Sequence, residues 1–320
     1  MSMEIYKPSL RTSLQGMWAL TRRELKKWMN EPIVLFISVI QPLMWMLLFG
    51  KSMNITAVFS PRVLADLTIP DITIPGDYVS PPANGLLTIP GSVIAQYLRE
   101  VLYELGGRAV ESVFGVQDYF SYLAIGMISM ITIFTSTFSG LSIVWDRRLG
   151  FLYKVLSTPV SRSAIIFSKV LNAALKSMFQ STIILMIAVV IGVKLNPSFN
   201  LLNLAGIYLA VFLFSVGLSS LFLAVALRST RHETQMAVVN LVNMPLMFTS
   251  NAFFPVTLMP EWLKPLAQVN PVSYVTDALR QLTIYSTDLQ ILLIDFTYLT
   301  IFAVVLSTIG VLLSWKYLTK

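Results

Sequence analysis

Six long stretches with few or no charged residues constrain this chain more than any other feature of its sequence. A helix needs about 20 mainly apolar residues to cross the hydrocarbon core of a bilayer. Of the 320 residues, 55% are hydrophobic and only 12% are charged, whereas soluble domains carry about a quarter charged residues. The sequence therefore predicts an all-α integral membrane protein with six transmembrane helices, at residues 33–50, 119–144, 167–193, 201–227, 234–251 and 291–315.

Residues 1–32, before the first span, are predicted to be a cytoplasmic tail followed by an amphipathic helix in the membrane interface. Between positions 14 and 29, apolar side chains that include Trp18 and Trp28 fall on one helical face. A basic helix with tryptophans on its apolar face is suited to the headgroup layer. Glu31-Pro32 then breaks the helix and directs the chain into the bilayer. The basic residues of the polar face are Arg22, Arg23, Lys26 and Lys27.

A short charged segment, 145–166, separates the second and third spans. Its apolar residues recur at three- and four-residue spacing, which predicts a short amphipathic helix at the membrane surface. The alternative is a positively charged loop with no further role. The segment opens with Asp146, Arg147 and Arg148, which are expected at a water-facing helix start. It carries Leu149, Leu152, Tyr153 and Leu156 at the helical spacing and closes with Arg162. Lys169 and Lys176, near the inner end of the third span, are expected to extend toward the membrane surface.

Two further segments are predicted to lie outside. The insertion 51–118 contains Thr-Ile-Pro three times, which favours extended backbone, and then an amphipathic helix from 92 to 105 that Gly106-Gly107 should end. Residues 252–290 are too amphipathic and too often interrupted by proline to span, so they should form short re-entrant helices at the outer interface. Residues 316–320 form the second tail.

The positions of lysine and arginine predict the orientation. With both termini inside, 16 of these residues lie on the cytoplasmic side and 7 outside, and 4 of those 7 fall in the long insertion, which the positive-inside rule discounts. The formal net charge of +7 is thus explained by membrane topology, and no nucleic-acid partner is expected. The predicted location is the plasma membrane, with multiple spans and both termini cytoplasmic.

Several kinds of chemistry are disfavoured by composition. The chain has no cysteine and one histidine, His232, so thiolate sites are excluded and no metal site is expected. Gly50-Lys51-Ser52 resembles the end of a phosphate-binding loop, but Trp45 stands where that motif needs a glycine, so no nucleotide site is expected. A polytopic membrane enzyme would need clustered acids, bases or metal ligands, and an ion-coupled transporter would need midplane carboxylates or inverted repeats. Neither pattern is visible, although both functions remain alternatives.

Four sequence blocks, taken together and in this order, resemble the permease subunits of type-2 ABC exporters, which move drugs, polysaccharides or lipids. The chain departs from the family pattern in the third block, 146–162. Members commonly carry Glu-x-Gly-Thr there, whereas this chain has Asp146 in place of the glutamate and Phe151 after Gly150. The insertion lies outside the resemblance. The blocks are 21–32, 118–126, 146–162, and the run from Asn251-Ala252-Phe253-Phe254-Pro255 through Asn270-Pro271-Val272-Ser273-Tyr274 to Asp277-Ala278-Leu279-Arg280.

The resemblance implies half of an exporter for an amphiphilic substrate. Two such permeases would pair, as a homodimer, within membrane lipid, and two copies of a separate cytoplasmic ABC ATPase would bind the ATP and Mg. The amphipathic helix before the first span and the helix within 145–166 would dock that ATPase. The residues implied in docking are Arg22, Arg23, Lys26, Lys27, Asp146, Arg147, Arg148, Gly150, Tyr153 and Arg162.

Two more sets of residues are candidates for the transport path. Polar side chains in the third and fifth spans should face protein or water, so they either line the path or hold helices together by hydrogen bonds. The outer helices would form an external gate in the family, or else a solvated loop. The path candidates are Gln180, Asn240, Asn243 and Met247, and the gate candidates are Phe253, Phe254, Trp262, Tyr274, Asp277 and Arg280.

Overall fold

The computed structural model describes residues 10–52, 68–75, 86–116, 118–158, 160–228 and 232–318. The described chain is mainly helical. Its helices are α1 (Leu10–Met29), α2 (Pro32–Trp45) with a π-helical continuation (Met46–Lys51), α3 (Gly91–Phe114), α4 (Tyr119–Arg148), α5 (Phe151–Leu156), α6 (Arg162–Ile191), α7 (Leu201–Arg228), α8 (His232–Phe248), a 3₁₀ turn (Val256–Leu258), α9 (Lys264–Val269), α10 (Pro271–Thr283) and α11 (Leu289–Leu318). The strands β1 (Ile72–Pro75) and β2 (Leu86–Ile89) form an antiparallel pair in which Ile72 faces Ile89.

Within the described residues, five helical stretches are long and apolar enough to cross a membrane. They are α2 with its π-helical end, α4 together with α3, and α6, α7 and α11. The predicted fifth span corresponds to α8, which has 17 residues and is not one of these five stretches. An all-α membrane fold is therefore confirmed, and the count of six spans stays a prediction.

The centre of the bundle is α4, most of whose side chains are buried. It begins where the sequence predicts, because the Asp118 carboxylate accepts a hydrogen bond from the Ser121 amide at 2.7 Å and caps the helix. Helices α2, α6, α7 and α10 all pack against α4, and α11 packs against the outside of α7. A Cβ atom added to Gly140 would lie 2.8 Å from the Ser219 carbonyl oxygen of α7. Glycine thus allows the close approach of α4 and α7, as expected for a small residue in a packed membrane helix.

Extended backbone is confirmed at two of the three Thr-Ile-Pro copies, since β1 contains the second and β2 the start of the third, while the first, at 68–70, lies outside both strands. The predicted end of the following helix at Gly106-Gly107 is wrong. Helix α3 continues to Phe114 and ends at Gly115, which has a left-handed φ of 70°. Two interior glycines cost about 1 kcal/mol each, but residues beyond them are buried, and the Phe114 ring contacts the rings of Tyr119 and Tyr122. Packing against α4 thus outweighs the helix propensity of the glycines.

Helices α4 and α6 both extend further than predicted, into the segment between them. Helix α4 continues to Arg148 and α6 begins at Arg162, capped by the Ser161 hydroxyl, which accepts a hydrogen bond from the Ala164 amide. The predicted short helix exists between them as α5. The end of the bundle that contains α1 and α5 is called the α5 end below, and the opposite end, with α9 and α10, the α10 end.

Candidate functional site

One glycine, Gly150, forms the turn between α4 and α5. Gly150 has φ 72°, a left-handed conformation that an L-residue with a side chain adopts only at a cost. A Cβ atom on Gly150 would meet nothing within 4 Å, so its requirement is conformational and not steric. Leu152 and Val155 bury one face of α5, while Tyr153 on the other face is 64% exposed. The α5 end therefore presents an accessible aromatic side chain on a short helix whose opposite face is buried.

Helix α1 packs along the first half of α6 and touches α5. The Arg23 guanidinium lies 3.5 Å from the ring centroid of Phe151, a cation–π contact between α1 and α5. The Thr21 hydroxyl donates to the Ser168 carbonyl oxygen at 3.3 Å, and the ring of Trp28 contacts that of Phe179 edge-on at 5.6 Å. Helix α1 is thus joined to both α5 and α6 and does not lie on the bundle as a separate element.

A buried ionic cluster joins α1, α4 and α6. Lys169 is 5% exposed, and its ammonium pairs with Asp146 of α4 and, at 3.1 Å, with Glu24 of α1. Glu24 also accepts from Arg23 at 2.8 Å. Burial by itself raises the pKa of Glu24. The charge and hydrogen bond of Lys169, together with the charges of Arg23 and Lys176, outweigh burial and leave this pKa below its ordinary value. We call Glu24, Asp146 and Lys169 the ionic clasp.

The ionic clasp corrects two expectations. Asp146 was expected at a water-facing helix start, but it is buried in the last turn of α4. Lys169 was expected to extend toward the membrane surface, but two carboxylates neutralise it inside the bundle. Tertiary packing explains both differences. Burial of any one of these charged side chains alone would cost much free energy, and their ion pairs offset that cost when all three are buried together.

The remaining residues predicted to dock an ATPase occupy the same end of the bundle. Arg22, Lys26 and Lys27 are exposed on α1, and Arg162 is half-buried in the first turn of α6. The Arg147 guanidinium donates to the Leu227 carbonyl oxygen at 2.9 Å and so caps the C-terminal end of α7, and Arg148 lies 5.8 Å from the ring centroid of Trp145. The structure brings these residues together at one surface, and their docking role stays a prediction.

Three consecutive residues of α4 connect it to four other helices. The Thr135 hydroxyl donates to Gln180 of α6, and the Gln180 amide donates to the Ser38 hydroxyl of α2 at 2.6 Å. Ser136 bonds Ser215 of α7 at 2.8 Å, and Thr137 bonds Asn243 of α8 at 3.2 Å. Gln180 and Asn243 therefore form hydrogen bonds between helices, as one of the two predictions for them states.

The other two path candidates lie on α8. Asn240 is exposed and Met247 is half-buried. An exposed amide within an apolar helix would be costly against lipid, so Asn240 is expected to face protein or water. A transport role for the four path candidates stays a prediction.

A cavity of about 510 Å³ opens on the side of the bundle between α1, α2, α4 and α6. Its lining is mainly aromatic and aliphatic. We call the part lined by Gln180, Ser38 and Thr135 the floor, and the part lined by charged residues, near the junction of α1 and α2, the mouth. The charged groups at the mouth are Glu24, Lys27, Glu31 and Lys176. Size, shape and polarity fit the apolar body and polar end of an amphiphile.

At the α10 end, the gate candidates divide into an exposed and a buried group. Trp262 is 71% exposed and Phe254 is exposed, while Phe253 is buried, and the ring of Tyr274 stacks on that of Tyr298. A second cavity of about 440 Å³ lies beside Phe253 and Phe254, and it also has Trp45, Phe49 and Phe248 in its walls.

Arg280 is buried, so it does not lie in a solvated loop, which was the alternative to an external gate for this segment. Arg280 is 1% exposed, its guanidinium lies 3.4 Å from the ring centroid of Tyr122, and it donates to the carbonyl oxygens of Tyr122, Asn251 and Ala252. Asp277 accepts a hydrogen bond from Asn251 at 2.6 Å and lies 4.0 Å from Arg280. Arg280 therefore ties α10 and the segment after α8 to the start of α4, because its planar donors reach several carbonyls at once.

Sequence reasoning missed two features of the structure. The pairing of Lys169 with Glu24 and Asp146 was not foreseen, although a lone lysine within an apolar stretch was a signal that a partner must exist. Asp295 of α11 is 3% exposed, and its Oδ2 atom has no hydrogen-bond partner in the part of the chain that the structure describes. Its signal was a single carboxylate near the start of an otherwise uncharged stretch.

Comparison with known proteins agrees with this architecture. Among curated proteins, the putative transport permease ycf38 of Porphyra purpurea is 29% identical over 269 residues, which are 83% of this chain and 73% of that protein. The daunorubicin resistance ABC transporter permease protein DrrB1 of Streptomyces coeruleorubidus is 22% identical over 58% of this chain and 64% of its own length. The probable multidrug ABC transporter permease YbhR of Escherichia coli K12 is 27% identical over 54% of this chain and 46% of its own length. The family model described as ABC-2 type transporter matches residues 89–284, more than half of the chain, and the protein therefore belongs to the ABC-2 type transporter family as a transmembrane permease subunit.

Proposed function

We propose that this permease exports an amphiphile when a separate ATPase subunit, bound at the α5 end, hydrolyses ATP. The observation that carries the proposal is the connection between α5 and the helices around it. Phe151 of α5 contacts Arg23 of α1, and the ionic clasp joins α1 to α4 and α6. A force on exposed Tyr153 would therefore reach α4 and α6 through packed, ion-paired contacts and not through a flexible loop.

The proposed complex contains two copies of this chain and two ATPase subunits in the plasma membrane. The α5 end and both termini would face the cytoplasm, where the excess of lysine and arginine lies. Helix α8 would complete six spans, and the exposed amide of Asn240 would be covered by the second copy. The partner ATPase would bind ATP and Mg, and this chain would contribute motion and a path.

The α10 end would act as the external gate. Arg280 anchors α10 to the start of α4, so α10 would be the fixed part of this gate. The segment from Phe253 to Trp262 would be the part that moves, because it contains short turns, exposed aromatic rings and the wall of the 440 Å³ cavity. Closure over that cavity would shield an apolar substrate as it leaves.

The docking proposal is tested with Tyr153→Ala. We expect the variant to insert and fold normally, since substitutions at exposed positions change stability by about 0.5 kcal/mol or less. It should lose copurification with the ATPase subunit and the ATP hydrolysis of the complex. The matched control is Tyr97→Ala on α3, where the tyrosine is 71% exposed but far from α5 along the chain. Normal ATPase binding by Tyr153→Ala, or ATP hydrolysis by the purified permease alone, would overturn the proposal.

The orientation and the gate are tested by thiol labelling, which the absence of cysteine makes simple. Single cysteines at the exposed positions Thr257 and Gln268 should react with an impermeant reagent added outside cells. The rate at Thr257 should change when ATP hydrolysis is trapped, and the rate at Gln268 should change less. Labelling only from the cytoplasmic side contradicts the orientation, and equal rates in both states at Thr257 contradict the gate.

A further inference from the structure

We propose that the 510 Å³ cavity binds an anionic amphiphile from the cytoplasmic leaflet, with Lys176 and Lys27 holding its acidic headgroup. This inference rests on the proposed orientation of the chain and specifies the substrate class. It depends on three observations: the charge balance at the cavity mouth, the satisfied polar groups at its floor, and the level at which the mouth lies.

The charge balance at the mouth favours an anion. Glu24 lines the cavity, but its charge is already neutralised by Arg23 at 2.8 Å and by Lys169 at 3.1 Å. Among the described residues that line the mouth, Lys27 and Lys176 then face one further carboxylate, that of Glu31. In the part of the chain that the structure describes, no carboxylate lies within 4 Å of the Lys176 ammonium. Its nearest described aromatic contact is Trp28, with 5.6 Å between the ammonium and the ring centroid.

The floor of the cavity favours an apolar part of the ligand. The polar side chains there bond one another, since Gln180 donates to Ser38 and accepts from Thr135, and Ser38 donates in turn to the Leu35 carbonyl oxygen. These groups therefore need no hydrogen bond from a ligand. Between floor and mouth the walls carry aromatic and aliphatic side chains such as Phe134 and Ile37. A hydrocarbon chain or fused ring system in the cavity would bury apolar surface on both sides.

The mouth of the cavity lies at the depth of the lipid headgroups in the proposed orientation. Trp28 is close to the end of α1, and the chain enters its first membrane helix four residues later, at Pro32. Lys176 contacts Trp28, so it lies at the same level. A lysine with a flexible stem can hold a phosphate or carboxylate at that depth while the ligand's apolar part extends toward Gln180. A lipid-like molecule could thus move sideways from the inner leaflet into the cavity without leaving an apolar environment.

The test uses the tryptophans in the cavity as reporters. A variant with Trp18, Trp45, Trp262 and Trp315 changed to phenylalanine keeps only Trp28 and Trp145, both of which line the cavity. It is reconstituted in phosphatidylcholine vesicles, and quenching by dibrominated phosphatidic acid is compared with quenching by dibrominated phosphatidylcholine. We expect about a fivefold preference for the anionic lipid, which corresponds to one solvent-accessible ion pair of about 1 kcal/mol.

Substitution of Lys176 distinguishes a specific site for anionic lipid from a general attraction of the basic protein for that lipid. Lys176→Gln should abolish the preference, Lys176→Arg should keep it, and Lys27→Gln should weaken it. The matched control is Lys194→Gln, which removes the same charge from an exposed lysine past the opposite end of α6. Equal quenching by both lipids in the parent, or equal loss in Lys176→Gln and Lys194→Gln, would overturn the assignment.

Two other occupants are separated by the same assay. If inorganic phosphate at millimolar concentration abolishes the anionic preference, the site binds a soluble anion and the lipid assignment is wrong. If neither brominated lipid quenches the two tryptophans, a protein surface such as the second copy fills the cavity, and the assignment is equally wrong. Since the quenching assay contains no ATPase, a result that contradicts the lipid site leaves the docking test with Tyr153→Ala unaffected.

Discussion

Replacing Lys169 with methionine tests whether the ionic clasp holds the α5 end together. Lys169 is the cation shared by two buried carboxylates, Asp146 and Glu24. Methionine has a similar length and fills the space without charge, so the change isolates electrostatics from packing. We expect Lys169→Met to be inserted in the membrane but to unfold at a markedly lower temperature.

The size of the effect follows from the partners that remain. Removing one partner from a buried ion pair costs about 3–5 kcal/mol, because the other charge is left without compensation. Glu24 keeps Arg23, whose side chain is 42% exposed and compensates weakly, while Asp146 has no other described ion-pair partner. Asp146→Asn should cost less, about 1–3 kcal/mol, since Lys169 still pairs with Glu24. The triple variant with Lys169→Met, Asp146→Asn and Glu24→Gln should regain most of the loss because no buried charge remains.

The assay is thermal unfolding of the purified protein in detergent, followed by circular dichroism. The expected order of melting temperature places Lys169→Met lowest, Asp146→Asn above it and the wild type highest. The control is Lys26→Met, an exposed lysine of α1 that should change stability by about 0.5 kcal/mol or less. The reasoning is refuted if Lys169→Met melts with the wild type, or if the triple variant is no more stable than Lys169→Met.

Four further changes have defined outcomes, measured by thermal unfolding unless another activity is named. Arg280→Met should cost about 3 kcal/mol or more, because three buried carbonyl oxygens lose their donor, and Arg280→Lys should restore only part of the loss. Gly140→Leu should cost about 1–3 kcal/mol by forcing α4 away from the backbone of α7, and a normal melting temperature would show that the contact is looser than described. Gly150→Ala should cost about 1 kcal/mol from backbone strain and reduce ATPase stimulation, whereas Gly107→Ala, in an open helical position, should stabilise α3. Because the pKa of Glu24 lies below its ordinary 4.5 in the folded protein, its contribution is present above that pH and is lost under stronger acid, so the wild type and Glu24→Gln should converge there.

The sequence alone was sufficient for the membrane fold and for most helix positions. Long uncharged stretches have few alternatives to a membrane helix, since the backbone must satisfy its own hydrogen bonds in lipid. Helix α4 begins at Tyr119 as predicted, because Asp118 is a strong helix cap and the apolar stretch follows at once. The short helix α5 was also predicted from its apolar spacing. Its exact start depends on Gly150, whose left-handed conformation is a local property of glycine.

What the sequence by itself determined is therefore the all-α membrane fold, the presence of α5 and the basic residues beside it, because each follows from local periodicity and charge. Only the tertiary structure decided where isolated charges go. Lys169 and Asp146 are 23 residues apart, and Arg280 finds its carbonyl partners on two distant segments of the chain, so no local pattern records these contacts. Burial reverses the usual expectation that a charged side chain faces water, since a charge inside a bundle persists only where the fold supplies its partners.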